Sequence, residues 1–400
     1  MNNFTYYIPT KVFFGENTVS QVGSAASSFG ATKVMLHFGS DRVKKSGLLS
    51  DIEEALTKSR IEYIEFGGVI ANPRLSLVRR GVEVAVSENV DMIIAIGGGS
   101  VIDSAKAIAY GVLYEGDVWE IYTKSGVPGD ALPVGVVLTM AASGSEMSDS
   151  SVISNEESKE KRGYNNDLCR PKFAILDPSL TLTLPPYQTA CGCVDIIMHT
   201  FERYFTSRGS MEITDQMSEA LIRTVMNASI VLRDDPDNVK SRAEVMWAGS
   251  LSHNGLMQCG NGGNDFATHK LEHEVSAKYD VAHGAGLAAL WGSWARYVFD
   301  SCPEKFYRFA VNVMGIKTVG LDTCSDYKLR TAVGLNGIEA VERFFKSIDM
   351  PTSIGELNLG ITDDDLKDLS HRCAAVNGGH IGACRVLDED DMLAIYRMAL

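Results

Sequence analysis

The run Met92–Ile96, Met-Ile-Ile-Ala-Ile, contains no polar residue, and it stops at Gly97-Gly98-Gly99-Ser100. A short unbroken apolar run bounded by glycines reads as a strand covered on both faces. Such a strand needs crossover helices above and below a parallel sheet, so this one stretch predicts an α/β unit. The flanking sequence agrees. Strand runs at Lys33–Phe38, Ile61–Phe66, Leu132–Thr139 and Lys172–Asp177 are separated by helical patterns such as Val78–Val90. Past Pro185-Pro186 the texture changes. Long helical periodicities follow at 211–233, 241–258, 286–299 and 361–376, the last opening on a Thr cap, with almost no strand run. The reading is two domains: residues 1–186, α/β with a parallel, Rossmann-like sheet, and residues 187–400, all-helical.

The net charge of −14 and the lack of a basic run argue against nucleic acid as a partner. The start, MNNFTYYIPT, lacks a charged end followed by an apolar core, and no run of apolar residues is long enough for a membrane span. The eight cysteines include only one closely spaced pair, Cys191 and Cys193, so they read as free thiols of a cytoplasmic protein.

Two stretches carry chemistry. In IIAIGGGSVIDSAK a strand runs into glycines and then a helix. Glycines let backbone N–H groups approach a ligand, and the helix start adds partial positive charge, which suits a pyrophosphate. The pattern is neither G-x-G-x-x-G nor Walker A. A second polar cluster, Thr139, Ser143, Gly144, Ser145 and Glu146, follows another strand and offers hydroxyls to ribose or phosphate.

In CVDIIMHTFERYF, Asp195 and His199 stand four apart, on one face of an apolar helix. A carboxylate buried there is costly unless it is paired or binds metal. His269 and His273, again four apart, and His283 in AHGAGL supply further imidazoles. One carboxylate with three imidazoles suits Fe²⁺ or Zn²⁺. Spacing alone does not choose between His269 and His273 as ligand and proton relay. Glu202, Glu272 and Glu274 read as partners of the ligands or as salt bridges, and His37, His253, His371 and His380 as structural or surface residues. A nucleotide cradle in one domain and a metal site in the other imply hydride transfer to or from a metal-held oxygen across a cleft.

Along its whole length, through GGGSVIDSAK, SGSEMSDSSVIS, HTFERYF, HKLEHEVSAKYDVAHGAGLA and GGHIGACRVLDEDD, the chain resembles the iron-containing (group III) alcohol dehydrogenases, especially their butanol dehydrogenase and aldehyde reductase branch. The resemblance implies the dehydroquinate synthase-like fold of that superfamily, and Asp195, His199, His269 and His283 as metal ligands. His273 is then left as the histidine for proton transfer or substrate contact. It implies that Gly97, Gly98, Gly99, Ser100 and Asp103 hold the pyrophosphate, that Thr139, Ser143 and Leu182 line the cofactor, and that the protein is a homodimer. The metal is Fe²⁺, with Zn²⁺ fitting the same donors. The loop after the first long strand, Gly39-Ser40-Asp41-Arg42, departs from the glycine run of that branch. Asp41 repels a 2′-phosphate, whereas Arg42 pairs with one, and Lys161 matches a 2′-phosphate contact. On balance NADP(H) is favoured over NAD(H). Glycerol or polyol dehydrogenase, or a phospho-substrate lyase of the same superfamily, is the alternative, with a non-enzymatic metal or nucleotide sensor behind it.

Overall fold

A computed structural model describes residues 2–318 and 327–400. The chain divides into two compact units, Tyr7–Leu184 and Pro185–Leu400, the second joined by the N-terminal residues before Tyr7.

The first unit is built on a parallel sheet. Its strands are β1 (Lys11–Phe14), β2 (Lys33–Phe38), β3 (Glu62–Phe66), β4 (Met92–Gly97), β5 (Val134–Leu138) and β8 (Phe173–Leu176), while β6 (Ser150–Asn155) and β7 (Glu160–Asn165) form a separate antiparallel pair. The sheet order is β1-β8-β5-β4-β2-β3. The chain moves outward from β2 to β3, then returns to the other side of β2 with β4. The direction of winding therefore reverses between β2 and β4, the place where open α/β sheets bind ligands. Every residue of β4 and β5 is buried, as their unbroken apolar runs require.

The helices Val22–Ser28 and Leu48–Lys58 cover one face. Val22, Ala26, Ile52 and Leu56 pack there against Val34, Leu36, Ile94 and Ile96. Gly23 permits this, because a Cβ on it would collide with the Ala55 carbonyl.

The five strands expected from sequence are present. Three others carry no clear signal in the sequence. β1 is a four-residue edge strand with mixed exposure, too short to show a period. The β6–β7 pair is rich in Ser, Asn and charge, so it reads as loop until its partner is known.

In the second unit the described residues form helices, with one isolated bridge, Ile381–Leu387, as the only extended pairing among them. The helix Pro186–Tyr204 starts with proline at its first position, where no N–H is missed. Phe201 on it and Phe205 at its C-cap enter an aromatic core with Trp291, Trp294, Phe306 and Phe309; the Phe205 and Phe306 rings stack at 4.5 Å. The helical run expected over 241–258 is split. The helix Val239–His253 ends at Asn254-Gly255, where Gly255 has φ 94° and the Asn254 side chain accepts the Leu256 N–H at 2.9 Å. An Asn-Gly turn overrides the apolar period. The Thr cap is as expected: Thr362 and Asp365 form a reciprocal capping box.

Candidate metal centre and cofactor loops

Asp195 and His199 lie one turn apart on the helix Pro186–Tyr204, both buried. His199 Nδ1 is 3.2 Å from Asp195 Oδ1. His269, on the helix Ala267–Tyr279, brings Nε2 to 3.8 Å from the same oxygen, and so does His283, at the first position of the helix His283–Val298. Asp195, His199 and His269 each offer a donor atom within 4.8 Å of the other two. Asp195 Oδ1, His199 Nδ1 and His269 Nε2 are all buried without a hydrogen-bond partner. Leaving one such atom unsatisfied costs about 1–3 kcal/mol, so three pointing at one another form an arrangement that a divalent cation relieves. The donor set, one carboxylate oxygen and imidazole nitrogens, fits Fe²⁺ or Zn²⁺.

Burial holds His199 well below the usual imidazole range, helped by His253, His269 and Arg203, so its lone pair is free of a proton. Burial also pushes His269 down, but the carboxylates of Asp195 and Glu202 outweigh it and leave this imidazole at about 9. The carboxylates thus favour positive charge at His269, whereas burial and the neighbouring cationic groups disfavour it at His199.

The outer faces of two imidazoles are held. His269 Nδ1–H donates to Glu202 Oε1 at 3.0 Å, and His283 Nδ1–H donates to the buried Glu272, which also accepts from Ser276. These bonds fix the ring orientations and leave each Nε2 turned inward. Glu274 instead pairs with Arg372 at 3.2 Å. His283 reaches Asp195 because Gly284 lets its helix press on the Asp195 helix: a Cβ there would collide with the Cys191 carbonyl. His273 lies outside the tight group, half-buried, its ring 5.7 Å from that of His283; with Glu272 and His283 it forms a second cluster of donors.

His253, read from sequence as structural or surface, packs its ring edge-on against His199 at 4.1 Å. No spacing signal links the two, since they sit on different helices. His37 is a satisfied core residue, bonded to the Phe66 carbonyl and the Ser104 hydroxyl at 2.8 Å each. His371 and His380 are exposed.

In the α/β unit, Gly39, Ser40, Asp41 and Arg42 follow β2, Gly97–Ser100 end β4 and open the helix Gly99–Leu113, and Thr139 and Ser143 follow β5. Because β5, β4 and β2 are neighbours, these three loops stand side by side at the carboxyl edge of the sheet. Leu182 caps the short turn Pro178–Thr181 beyond β8.

The glycines are required by the protein's own packing. A Cβ on Gly99 would collide with the Ser143 hydroxyl, one on Gly97 with Val101, and one on Gly98 would come within 3.0 Å of Met140.

Asp103 is half-buried, and its carboxylate is bonded within the protein. Oδ1 accepts from the Ser145 hydroxyl at 2.6 Å and Oδ2 from the Val152 N–H at 2.9 Å. Burial raises its pKa against the opposing pull of Lys106. Lys106 Nζ donates to the carbonyls of Ser145, Ser148 and Ser150 at 2.7, 2.9 and 2.8 Å. Together they tie the Ser143–Ser150 segment to the glycine helix. Lys161 is buried on β7, and its charge also reaches Asp103. Asp41 and Arg42 are exposed.

The model of iron-containing alcohol dehydrogenases matches residues 9–178, and that of the C-terminal part of the Fe-containing alcohol dehydrogenase family matches residues 189–400. The chain belongs to the iron-containing alcohol dehydrogenase family. It is 39% identical to a probable NADH-dependent butanol dehydrogenase of Bacillus subtilis, over all of both chains. It is 33% identical to an NADPH-dependent aldehyde reductase of Escherichia coli, over 90% of each. Among solved structures, NADH-dependent butanol dehydrogenase A of Thermotoga maritima superimposes with a TM-score of 0.94 at 37% identity, covering 100% of this chain and 99% of that one. Membership makes this chain a metal-dependent alcohol dehydrogenase by family. No helix among the described residues is long and apolar enough to cross a membrane.

Proposed function

We propose that this enzyme interconverts a small primary alcohol such as butanol and its aldehyde, using NAD(P)H and one divalent cation. The observation that carries the reading is the convergence of three buried, unpartnered donor atoms from Asp195, His199 and His269, with His283 Nε2 facing the same oxygen. These four residues would hold Fe²⁺, or Zn²⁺ on the same donors. When bound, the metal supplies Lewis-acid polarisation of the substrate oxygen and the nicotinamide supplies or accepts the hydride.

The rest is the work of the chain. Glu202 and Glu272 keep the His269 and His283 rings aimed inward. His273, beside His283 and half-buried, holds the proton that the substrate oxygen gains or loses and passes it to water. Gly97–Ser100 at the helix start receive the pyrophosphate. Ser143, pressed on Gly99, closes that cradle from the β5 side.

On the cofactor we place NADH first. An acidic residue after the second strand of such a sheet suits the ribose 2′-hydroxyl, and Asp41 is exposed at that place. The relatives named for NADH are also the more similar ones. These two points outweigh Arg42 and the buried Lys161. A homodimer is part of the reading, checked by light scattering of the metal-loaded protein.

The test is paired turnover. Protein loaded with Fe²⁺ or Zn²⁺ should reduce butanal, with kcat/KM at least about tenfold higher for NADH than for NADPH, a difference of about 1.4 kcal/mol. Equal or better use of NADPH would reverse the cofactor preference. Asp195→Ala should lose bound metal by elemental analysis while still binding dinucleotide. Retention of stoichiometric metal by that variant would remove the proposed centre.

A further inference from the structure

Phe266 immediately precedes the His269 helix, and its backbone is left-handed, at φ 52° and ψ 18°. Bulky residues avoid this region, whereas Gly or Asn adopt it cheaply. Strain of this kind persists only where the surroundings over-determine it, and it gathers at working sites.

Here the neighbours pin the chain. Asp265 Oδ1 accepts the Ala267 N–H at 3.0 Å, and Oδ2 accepts the Ala383 and Cys384 N–H groups at 2.7 Å each. The Asp265 N–H in turn donates to the Glu202 carbonyl at 2.8 Å. With the backbone fixed on both sides, the Phe266 ring is delivered to one place. Its centroid lies 5.1 Å from the ring of His269 and 6.2 Å from that of His199. The Arg203 guanidinium lies 4.9 Å from the ring, and its Nη1 donates to the His199 carbonyl at 2.6 Å. The residue stays half-buried. Part of the residue thus stays exposed beside the candidate metal ligands, with His199, His253, His269 and Arg203 around its ring.

We propose that the Phe266 ring is the wall against which the alkyl chain of the substrate rests, and that it selects unbranched aliphatic aldehydes and alcohols over polyols. The proposal rests on the dehydrogenase reading above and deepens it. An alkyl chain laid on that ring loses water from both surfaces at no cost in polar desolvation. A polyol would leave hydroxyls facing a surface that cannot bond them. Phe266 acts here as a specificity-determining residue, positioned by Arg203 and by the Asp265 clamp.

The experiment is a chain-length series on the metal-loaded enzyme: acetaldehyde, propanal, butanal and hexanal with NADH, for the wild type, Phe266→Gly and Phe266→Tyr. Glycine is at home at this φ, so Phe266→Gly keeps the fold, which a thermal melt verifies. In the wild type kcat/KM should climb with each methylene, by up to about fourfold for a fully buried CH₂. Phe266→Gly should flatten that climb while keeping its metal by elemental analysis, and Phe266→Tyr should restore it. An unchanged climb in Phe266→Gly would overturn the wall and leave the dehydrogenase reading standing. Loss of metal from Phe266→Gly would also overturn it, by making the ring a part of the metal centre instead. A wild type that reduces none of the four aldehydes with either dinucleotide would sink the dehydrogenase reading and the wall with it.

Discussion

Asp195 shows how much one residue can disclose. A carboxylate in the middle of CVDIIM has no solvent to face, so the sequence around it already demands a partner. The partners come from three helices, and Glu202 and Glu272, read from sequence as supporting groups, hold His269 and His283. His253 is illegible in the sequence, because its approach to His199 joins separate helices without any fixed spacing.

Another histidine, His37 on β2, makes a pH prediction at the same scale. Burial, opposed only by the bond to the Phe66 carbonyl, lowers its pKa from 6.5 to about 4. The unfolded chain therefore binds this proton more readily, and stability falls as pH drops from about 6.5 to 4. The full penalty is about 3 kcal/mol, and above pH 7 there is none. Urea titrations at a series of pH values should show this acid limb, and His37→Asn should flatten it. An identical limb in the variant would assign the loss to other groups.

Among elements, small residues set the approach of helices that carry the site. Gly284 allows the start of the helix His283–Val298 to rest on the Cys191 carbonyl, one turn before Asp195. Adding a methyl group there forces the two helices apart. Gly284→Ala should therefore cost about 1–3 kcal/mol in thermal or urea unfolding. It should also weaken metal binding in competition with a chelator, because His283 moves away from Asp195. A variant with wild-type metal affinity would show that His283 does not depend on this approach. Gly99 plays the corresponding part in the other unit, where its lack of a Cβ makes room for Ser143.

For the molecule as a whole, the metal should act as a fastener of the helical unit, since its proposed ligands join the helix Pro186–Tyr204 to two later, consecutive helices, Ala267–Tyr279 and His283–Val298. A ligand that binds only the folded state stabilises it by about 4 kcal/mol at a thousandfold excess over its Kd. Chelation should accordingly lower the unfolding temperature. It should also raise hydrogen exchange in the helices bearing Asp195, His199, His269 and His283. Unchanged exchange there after complete metal removal would mean that the centre is preassembled without the ion.

Local chemistry and periodicity are legible in the chain itself. The unbroken run Met92–Ile96, stopped by glycines, reads as a covered strand, the change of texture after Pro185-Pro186 separates sheet from helices, and Asp195 with His199 share a helix face by spacing alone. Properties that depend on long-range contact are decided by the tertiary structure: the edge strand β1 and the β6–β7 pair, which show their nature only when paired, the bonding of the Asp103 carboxylate within the protein, and the left-handed Phe266 held by Asp265 against a distant loop. The reason is physical. Period and propensity are written along the chain at each residue, whereas the direction of a buried side chain is chosen by whichever partner the rest of the fold places within reach of it.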